Sequence, residues 1–543
     1  MPNSPNNHTI QKGDNITYVG VGTVQKPTTK SRFKMFLPII PLIVIVLILV
    51  YLFPSQSSNS TTFNIHGAVL GTQMSQKPGL TVNGTFCGPG IRQVDWSNYA
   101  PYCEPKFSGN NGGSTSFGVT RTTITVTSRV PSSSLNSLAA AFFPASMVGT
   151  AAQATQTFNT YVKLFNNSFE LYGRHVVIVP FNGKGNELSE LQGQGLEQAQ
   201  QDALTAKSLH AFADISLLSS TQIYDQYLAD EKIIAIGGLL QPQYWFQQYA
   251  PYEFSPAPTC NSDAEVTATV LGRSMAGLPA IFSGDPKMQH TIRKFGIIYP
   301  QNPNYASCAL ELVSILKNKY HTNVVRQIAY SINIAEGESQ AKNAVAQFQT
   351  RGVTSIICAC DPLFPIFLVQ NATAQKYYPE WLALDFGDIF GQKIAPTSQW
   401  ENNIAGGITS PPKIEQEAYR AYKLEDPTGT PSPEFAAIYE PLLQLFTGLQ
   451  AAGPDLTPET FAEGLFSMPT SKPGGEFGKW KYGQDVFSPV DSFQVLRWSP
   501  TTVSQQDGLK GSFIACNNGK LYTFSTSGAT SLPNHVQLSC PEP

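Results

Sequence analysis

The sequence predicts an α/β protein built from parallel sheets and crossover helices. From Val119 onward, β-branched and apolar runs alternate with longer helical patterns, as strand–helix–strand units require. Apolar residues make up 41% of the chain and charged residues only 13%, so the chain can bury a substantial core. A length of 543 residues allows one large two-lobed unit or several smaller domains.

Six short runs rich in Val, Ile and Thr are the candidate strands. They are TTITVTS (122–128), HVVIVPF (175–181), IIAIGG (233–238), KFGIIYP (294–300), TNVVRQIAY (322–330) and TSIICAC (354–360). Ligands of open parallel sheets bind outside the carboxyl ends of the strands. The residues that follow each run are therefore the candidate functional positions.

Two helices between and after these runs have start signals. Residues 262–265 predict a capping box that opens a helix through about Met275. Residues 432–433, Ser-Pro, predict the N-cap and first turn of a second helix, which carries apolar residues at three- and four-residue spacing up to Leu449. One face of this second helix must be buried.

Residues 36–53, FLPIIPLIVIVLILVYLF, predict a transmembrane helix. The run carries no charge, and its 18 residues would rise about 27 Å, close to the roughly 30 Å hydrocarbon core of a bilayer. Basic residues precede the run and none follows closely, so the positive-inside rule places residues 1–35 in the cytoplasm and the rest outside the cell. A cleaved signal peptide is the alternative, but a 35-residue leader is long and no A-x-A site follows.

The segments on either side of this run lack a periodic apolar pattern. Residues 1–35 are polar and predict a cytoplasmic tail without a domain, and residues 54–117 are rich in Ser, Asn, Gly and Thr and predict an extracellular stalk. N-glycosylation acceptor patterns, which also recur by chance in such sequence, occur at Asn59, Asn83, Asn166 and Asn371.

Eight cysteines, an even number, indicate a compartment in which disulfides persist. Cys87 and Cys103 predict a clip within the stalk, and Cys516 and Cys540 predict a clip within a C-terminal extension, residues 501–543. The remaining four could ligate zinc, but a C-x-C pair with two distant single cysteines lacks the spacing of a zinc finger, so disulfides are favoured. Their pairing stays open among three possibilities for Cys260, Cys308, Cys358 and Cys360.

Charge and motif content argue against nucleic-acid binding and catalysis. Basic residues number 35 and acidic residues 38, and a net charge of −3 offers no field to hold a polyanion. The chain contains no H-E-x-x-H and no G-x-S-x-G motif. We therefore expect a protein that is not an enzyme and needs no cofactor.

Eight blocks of sequence, in order, resemble the type 1 periplasmic binding fold. More narrowly, they resemble the branched-chain amino-acid (Leu/Ile/Val) receptor family of ABC-transporter substrate-binding proteins. The blocks are GGSTSFGVTRTTITV, YGRHVVIVPFNG, the IIAIGG run, SPAPT, KFGIIYPQNPNYASCALELVSILK, GVTSIICACDP, PEWLALDFGD and GKWKYGQDVFSPVDSFQVLRWSP. The likeness spans about residues 118–500.

The resemblance implies two hinged α/β lobes that close on a small polar ligand. It places lobe one at about residues 119–252 plus 425–480 and lobe two at about residues 255–390. Together with the predicted N-terminal transmembrane helix, this is the fold class that we expect.

The resemblance also implies ligand-binding positions. The family's carboxylate grip falls on Gly237, Gly238 and Leu239, where only backbone amides are offered. The family's acidic residue, which pairs with a ligand ammonium group, falls near Asp385, and its aromatic positions fall at Phe364 and Tyr305, with Asp361 beside Phe364. A loop cap is an equally good interpretation of the two aspartates, and packing is an alternative for the two rings.

Taken together, these features predict a membrane-anchored extracellular protein that captures an amino-acid-like solute. The expected partners are the solute and an ABC permease in the same membrane, to which residues 36–53 tether the chain. A structural or adhesive surface protein that keeps the fold without a ligand is the alternative.

Overall fold

The computed structural model describes most of the chain from residue 78 onward. The described residues are 78–133, 149–238, 241–361, 363–382, 395–407, 416–474, 478–504, 508–525 and 528–541. The predicted tail, residues 1–35, and the predicted transmembrane helix, residues 36–53, lie outside them. Within the described ranges, no helix is both long and apolar enough to cross a bilayer.

A disulfide-stapled hairpin precedes the main sheets. Its antiparallel strands are β1 (Gly79–Leu80) and β2 (Phe86–Cys87). Cys87 is bonded to Cys103, the pair that the sequence predicts. The backbone amide of Lys106 donates to the Leu80 carbonyl at 2.7 Å, so β1 is also tied to the segment that follows the hairpin.

The segment that follows the hairpin is folded against the body of the protein. The Ser97 hydroxyl donates to Glu417 at 2.8 Å, and the Thr115 hydroxyl donates to the Leu456 carbonyl at 2.7 Å. Composition predicts a stalk over residues 54–117, whereas in their described part Ser97 and Thr115 are hydrogen-bonded to the main domain.

Sheet A contains five parallel strands in the order β4-β3-β5-β6-β7. Its β-branched runs favour strands because such side chains fit a pleated, half-buried surface. The elements in chain order are β3 (Thr123–Val130), α1 (Ala151–Ser168), β4 (His175–Asn182), α2 (Glu187–Leu191), α3 (Leu196–Ser208), β5 (Ala213–Asp214), α4 (Gln222–Asp230), β6 (Ile234–Ile236), α5 (Gln243–Gln248) and β7 (Glu253–Phe254).

Sheet B contains eight strands, seven of them in the order β14-β13-β12-β11-β10-β8-β9 and with β15 paired to β13. Strands β8 to β12 are parallel, and β13 to β15 run antiparallel to their neighbours. The parallel strands of sheet B and their helices are, in chain order, α6 (Cys260–Ser274), α7 (Pro286–Gln289), β8 (Phe295–Pro300), α8 (Pro303–Tyr320), β9 (Val324–Tyr330), α9 (Ile334–Thr350), β10 (Ser355–Cys358), α10 (Phe364–Ala374), β11 (Glu380–Leu382), α11 (Thr397–Trp400) and β12 (Asn403–Gly407).

After β12 the chain returns to the side of sheet A and then goes back to sheet B. Three helices make the return, and α12 and α13 pack against α1. They are α12 (Glu417–Glu425), α13 (Phe435–Ala451) and α14 (Pro458–Phe466), followed in sheet B by β13 (Ser492–Val503), β14 (Lys510–Ala515) and β15 (Tyr522–Thr523). The two sheets are therefore joined by three crossings of the chain.

Each of the six predicted runs contains a strand of the structure, but the two helix starts differ from prediction. Helix α6 begins at Cys260, because the hydroxyl of Thr259 accepts from the Ser262 amide at 3.1 Å and makes Thr259 the N-cap. Helix α13 begins at Phe435 with Glu434 as its N-cap, so Ser432 lies before the helix, where its amide donates to the Thr157 hydroxyl at 2.8 Å. The apolar face of α13 is buried, as its spacing requires.

Candidate functional site

The carboxyl ends of the strands of sheets A and B meet at a shared cleft. A cavity of about 70 Å³ lies there, and both sheets contribute to its walls. From sheet A come residues after β4, and from sheet B come residues after β9 and β10: Leu188, Leu191, Gln192, Tyr330, Ser331, Ile332, Asn333, Ile334, Gly337, Asp361, Leu363, Phe364 and Phe367. This is the position at which open α/β sheets bind ligands.

Helix α2 carries apolar side chains from sheet A into the core of sheet B. Leu191 is only 3% exposed and belongs to the same buried cluster as Ile298, Tyr330 and Phe364. Leu188 packs against that cluster. The two sheets are therefore held together at the cleft by apolar burial, which the sequence did not predict.

Tyr330, Asp361 and Phe364 form one buried group on the sheet B wall. The rings of Tyr330 and Phe364 are stacked with their centroids 3.7 Å apart. The Tyr330 hydroxyl donates a short hydrogen bond to the Asp361 carboxylate and accepts from the Asp361 amide at 2.8 Å. Asp361 and Phe364, both predicted site residues, thus lie together at the cavity.

Asp361 also acts as a helix cap. Its second carboxylate oxygen accepts from the amides of Leu363 at 2.9 Å and Phe364 at 3.2 Å, at the start of α10. Burial raises the pKa of Asp361, and these hydrogen bonds oppose the shift. Of the two interpretations that the sequence leaves open, the loop cap is therefore present, and the same side chain also lines the cavity.

The amides of Gly237 and Gly238 already have partners inside the protein. The Gly237 amide donates to the Phe254 carbonyl at 3.0 Å within sheet A, and the Gly238 amide donates to Asp225 at 3.2 Å. Gly238 has a φ of +56°, which favours glycine. Leu239, the third member of this predicted grip, lies outside the described residues.

Tyr305 lies in the first turn of α8 and is 8% exposed. Its neighbour Asn304 reaches across the cleft, where its amide donates to the Gln241 side chain at 3.3 Å and its oxygen accepts a short hydrogen bond from the Tyr244 hydroxyl. The loop that contains Tyr305 therefore lies at the boundary between the sheets. Asp385 lies outside the described residues.

A buried arginine organises the sheet A wall. Arg129, at the end of β3, makes a bidentate contact to Glu190 of α2 at 2.9 and 3.0 Å and a third contact to Asp202 of α3 at 3.2 Å. Its guanidinium lies 4.0 Å from the ring centroid of Tyr224. Burial opposes the charge of Arg129, but the adjacent Glu190 raises its pKa above the ordinary value.

Three further acids lie buried beneath sheet A, on the face covered by α4. Asp214 of β5 and Glu253 of β7 are both in register with Ala235 of β6, so they project from the same face. Burial raises the pKa of Asp214 to about 6, that of Asp225 on α4 to about 7, and that of Glu253 well above its usual range. Among the described residues, neither carboxyl oxygen of Glu253 has a hydrogen-bonding partner.

Two polar side chains at the strand ends are candidate site residues that the sequence analysis did not identify. The Ser219 hydroxyl follows β5 and the Asn302 side-chain nitrogen follows β8, and both are buried without a hydrogen-bonding partner among the described residues. Unpaired buried groups of this kind need an explanation, and a ligand group is one. The hydroxyl-rich ISLLSST sequence after a short AFAD run was the available signal.

Four cysteines whose pairing the sequence leaves undecided form two disulfides, Cys260–Cys308 and Cys358–Cys360. Cys516–Cys540 forms as predicted. Each of these three disulfides joins residues of sheet B, its helices or the C-terminal segment, so none links the two sheets across the cleft. In the part of the chain that the structure describes, no group of three or more His, Cys, Asp or Glu residues is placed to hold a metal ion.

The chain matches no protein-family model and no curated protein sequence. It is similar in structure to an ABC-transporter substrate-binding protein from Aeropyrum pernix, with a TM-score of 0.52 and 11% identity over 73% of this chain and 94% of that one. A fatty acid ABC transporter substrate-binding protein from Thermomonospora curvata gives a TM-score of 0.51 and 14% identity over 75% and 95%.

A third similar structure is the closed conformation of a leucine-, isoleucine-, valine-, threonine- and alanine-binding protein from Brucella ovis. It gives a TM-score of 0.50 and 14% identity over 77% of this chain and 98% of that one. Each solved chain is thus covered almost whole. At this level of identity the likeness concerns the fold, and together with the paired sheets it shows that the chain has the type 1 periplasmic binding fold of ABC-transporter substrate-binding proteins.

Proposed function

We propose that this protein is a solute-binding protein that captures a small molecule between sheets A and B and delivers it to an ABC permease. One observation carries the proposal: the carboxyl edges of two similarly ordered parallel sheets meet at a cavity lined from both sides. The strand order reverses at β3 in sheet A, where β4 lies on one side and β5 on the other, and at β8 in sheet B, which lies between β9 and β10. A binding crevice forms at such a reversal point.

Capture requires the two halves to open and close. The three crossings between the sheets form a natural hinge. Contacts across the cleft include Leu191 in the core of sheet B, the Asn304 side-chain nitrogen donating to Gln241 at 3.3 Å, and the Tyr244 hydroxyl donating to Asn304. We interpret the described arrangement as a closed state. Opening would expose Leu191 and the Tyr330–Phe364 pair to an incoming solute.

The walls of the cavity favour a small solute with an apolar part and a polar group. Leu188, Ile332 and Phe367 supply apolar surface, whereas Asn333 and Asp361 supply polar atoms. An amino acid fits this mixture, and the Brucella ovis protein is named for such ligands. The fatty acid named for the Thermomonospora curvata protein shows the range that this fold accommodates.

The proposed location is the outer face of the cell membrane, with residues 36–53 as the anchor and residues 1–35 in the cytoplasm. All eight cysteines are paired in the structure, which fits an oxidising compartment. The permease partner would meet the domain on that face. Protease digestion of intact cells, with and without detergent, tests this placement directly.

The function is tested by measuring the melting temperature of the purified full chain in the presence of each member of a metabolite library. Amino acids and fatty acids are tested first. A true ligand at 100 times its Kd should stabilise the protein by about 2.7 kcal/mol. Leu188→Trp should fill the cavity and abolish the shift, whereas Leu196→Trp, on the 37% exposed side chain of α3, should leave it intact. The proposal fails if no solute changes the melting temperature.

Two features of the cleft favour a second function, that of a structural or adhesive surface protein without a ligand. The Gly237 and Gly238 amides are used internally, and the cavity of about 70 Å³ is smaller than most ligand pockets. A rigid closed cleft would support this function. Small-angle scattering that shows one unchanging radius of gyration under all solute conditions would favour it over solute capture.

A further inference from the structure

Four N-glycosylation acceptor patterns occur after residue 53, the end of the predicted transmembrane helix, and the structure describes three of them. The pattern Asn-x-Ser/Thr requires an accessible asparagine whose side-chain nitrogen can react. Asn59 lies outside the described residues, and the described positions are Asn83, Asn166 and Asn371. Burial and hydrogen bonding differ sharply among them.

Asn166 is held within the protein. It lies on α1, where its side-chain nitrogen donates to the Val176 carbonyl at 3.1 Å and its oxygen accepts from the Val176 amide at 2.8 Å. The hydroxyl-bearing residue of its pattern, Ser168, is 5% exposed. Modification of the Asn166 nitrogen would disturb this pair of hydrogen bonds to Val176 of β4.

Asn371 is excluded by burial. It is 5% exposed in the middle of α10, and its side-chain nitrogen donates to the Phe367 carbonyl at 2.9 Å. The Thr373 hydroxyl of the same pattern donates to the Val369 carbonyl at 2.9 Å. The nitrogen that a transferase would have to reach is therefore on a buried residue and already paired.

Asn83 has the opposite surroundings. It is exposed in the turn between β1 and β2, and its oxygen accepts from the Thr85 amide at 3.4 Å and from the Thr81 hydroxyl. Among the described residues its side-chain nitrogen has no hydrogen-bonding partner, so no hydrogen bond within the protein has to break before this nitrogen reacts. The adjacent Gly84 has a φ of +82°, and a Cβ placed there would meet no atom within 4 Å.

The hairpin presents this turn rigidly. The Cys87–Cys103 disulfide fixes strand β2, and the register pairs of the hairpin are Gly79 with Cys87 and Leu80 with Phe86. A transferase would therefore meet a preformed exposed turn in the folded protein as well as in the emerging chain.

We infer that Asn83 is the N-glycosylation site of the folded domain. The co-substrate would be a lipid-phosphate-linked oligosaccharide. The Asn83 nitrogen forms a bond to the anomeric carbon, and the bond from that carbon to the phosphate oxygen breaks. The proton that the amide loses is taken up by the lipid phosphate, which leaves. No electrons are gained or lost. The inference rests on the outward location given under the proposed function, because such transferases act on that face of the membrane.

The test is glycopeptide mass spectrometry of the full chain isolated from its own cells. We expect an oligosaccharide on Asn83 and the bare mass on Asn166 and Asn371. Asn83→Gln and Thr85→Ala should each remove the added mass, and the second variant keeps the acceptor nitrogen while removing only the pattern's hydroxyl. A bare Asn83, or equal occupancy of Asn166 or Asn371, would overturn the inference.

A matched control is Asn110, an exposed asparagine that makes the same type of contact. Its oxygen accepts from the Gly112 amide at 3.1 Å, but Gly112 carries no hydroxyl, so Asn110 should stay bare. Protease accessibility in intact cells distinguishes a wrong location of the domain from a wrong glycosylation site. A protected domain contradicts the outward location and the site together, whereas an accessible domain with bare Asn83 contradicts the glycosylation site alone.

Discussion

The guanidinium of Arg129 and the carboxylate of Glu190 form a bidentate ion pair, at 2.9 and 3.0 Å, that ties strand β3 to helix α2. Both side chains are at most 1% exposed. Because α2 also carries Leu191 into the core of sheet B, this pair sets the position of the sheet A wall at the cleft.

Replacing Arg129 by Ala should strongly destabilise the protein. The change leaves Glu190 and Asp202 buried without their cation, and breaking a buried pair in this way costs about 3–5 kcal/mol. Urea unfolding of the full chain measures the loss. Lys207→Ala, which breaks an exposed pair with Glu231, is the control and should cost no more than about 1 kcal/mol; equal losses in the two variants would contradict the assigned role of Arg129.

Leu191→Ala should loosen the contact between the two sheets. Truncating a buried leucine costs about 2–5 kcal/mol, and here the lost contact lies between sheet A and the core of sheet B. Small-angle scattering should therefore show a larger radius of gyration. Leu196→Ala, at a position 37% exposed, is the control; a radius unchanged in both variants would count against Leu191 as a closing contact.

Stability should fall as the pH rises from about 4 to 7. Unfolded carboxyls ionise near pH 4, whereas burial holds the pKa of Asp214 at about 6 and that of Asp225 at about 7. The folded state thus binds more protons in this window, so these carboxyls contribute stability below pH 4 that is lost as pH passes through their folded pKa values.

Asp225→Asn should flatten this pH dependence. Each such group contributes a slope of at most about 1.4 kcal/mol per pH unit, and removing Asp225 removes one contribution, at the cost of weakening its contacts to Ser220 and Gly238. Urea unfolding between pH 4.5 and 7.5 tests it. Asp485→Asn, at an exposed position, should keep the original slope; an unchanged slope in Asp225→Asn would refute the protonation of this carboxyl.

The disulfides should differ in their effect on stability. Cys260–Cys308 closes a separation of 48 residues, and the chain-entropy relation gives about 4 kcal/mol for such a loop. Cys358–Cys360 closes a separation of only 2 residues and should contribute less than about 2 kcal/mol. Double alanine variants of each pair, compared by urea unfolding, provide the measurement, and the reverse order would contradict the entropic account.

Long strands could be predicted from sequence, whereas short ones could not. Strands β3 and β9 contain seven or eight residues rich in Val, Ile and Thr, so their pattern is plain. Strands β5 and β7 contain two residues each and carry Asp214 and Glu253, acids that a strand pattern does not anticipate in a buried sheet. Both acids lie on the sheet face that helix α4 covers, and this tertiary packing is not contained in a local strand pattern.

Part of the candidate site was predictable for a related reason. Asp361 and Phe364 follow a recognisable strand, and the carboxyl end of a parallel strand is where a cleft forms. The partners of Gly238 could not be predicted, because Asp225 reaches it from a separate helix. Leu191 was hidden for the same reason, since its apolar surroundings belong to the other sheet.

The return of helices α12 to α14 to sheet A has a consequence for how the protein is made. Ser97, near the start of the described chain, bonds to Glu417, more than 300 residues later. A ribosome must therefore synthesise five of the eight strands of sheet B, β8 to β12, before the packing around sheet A can be completed. Strands β3 to β7, which are made first, must wait partly uncovered during translation until these helices emerge.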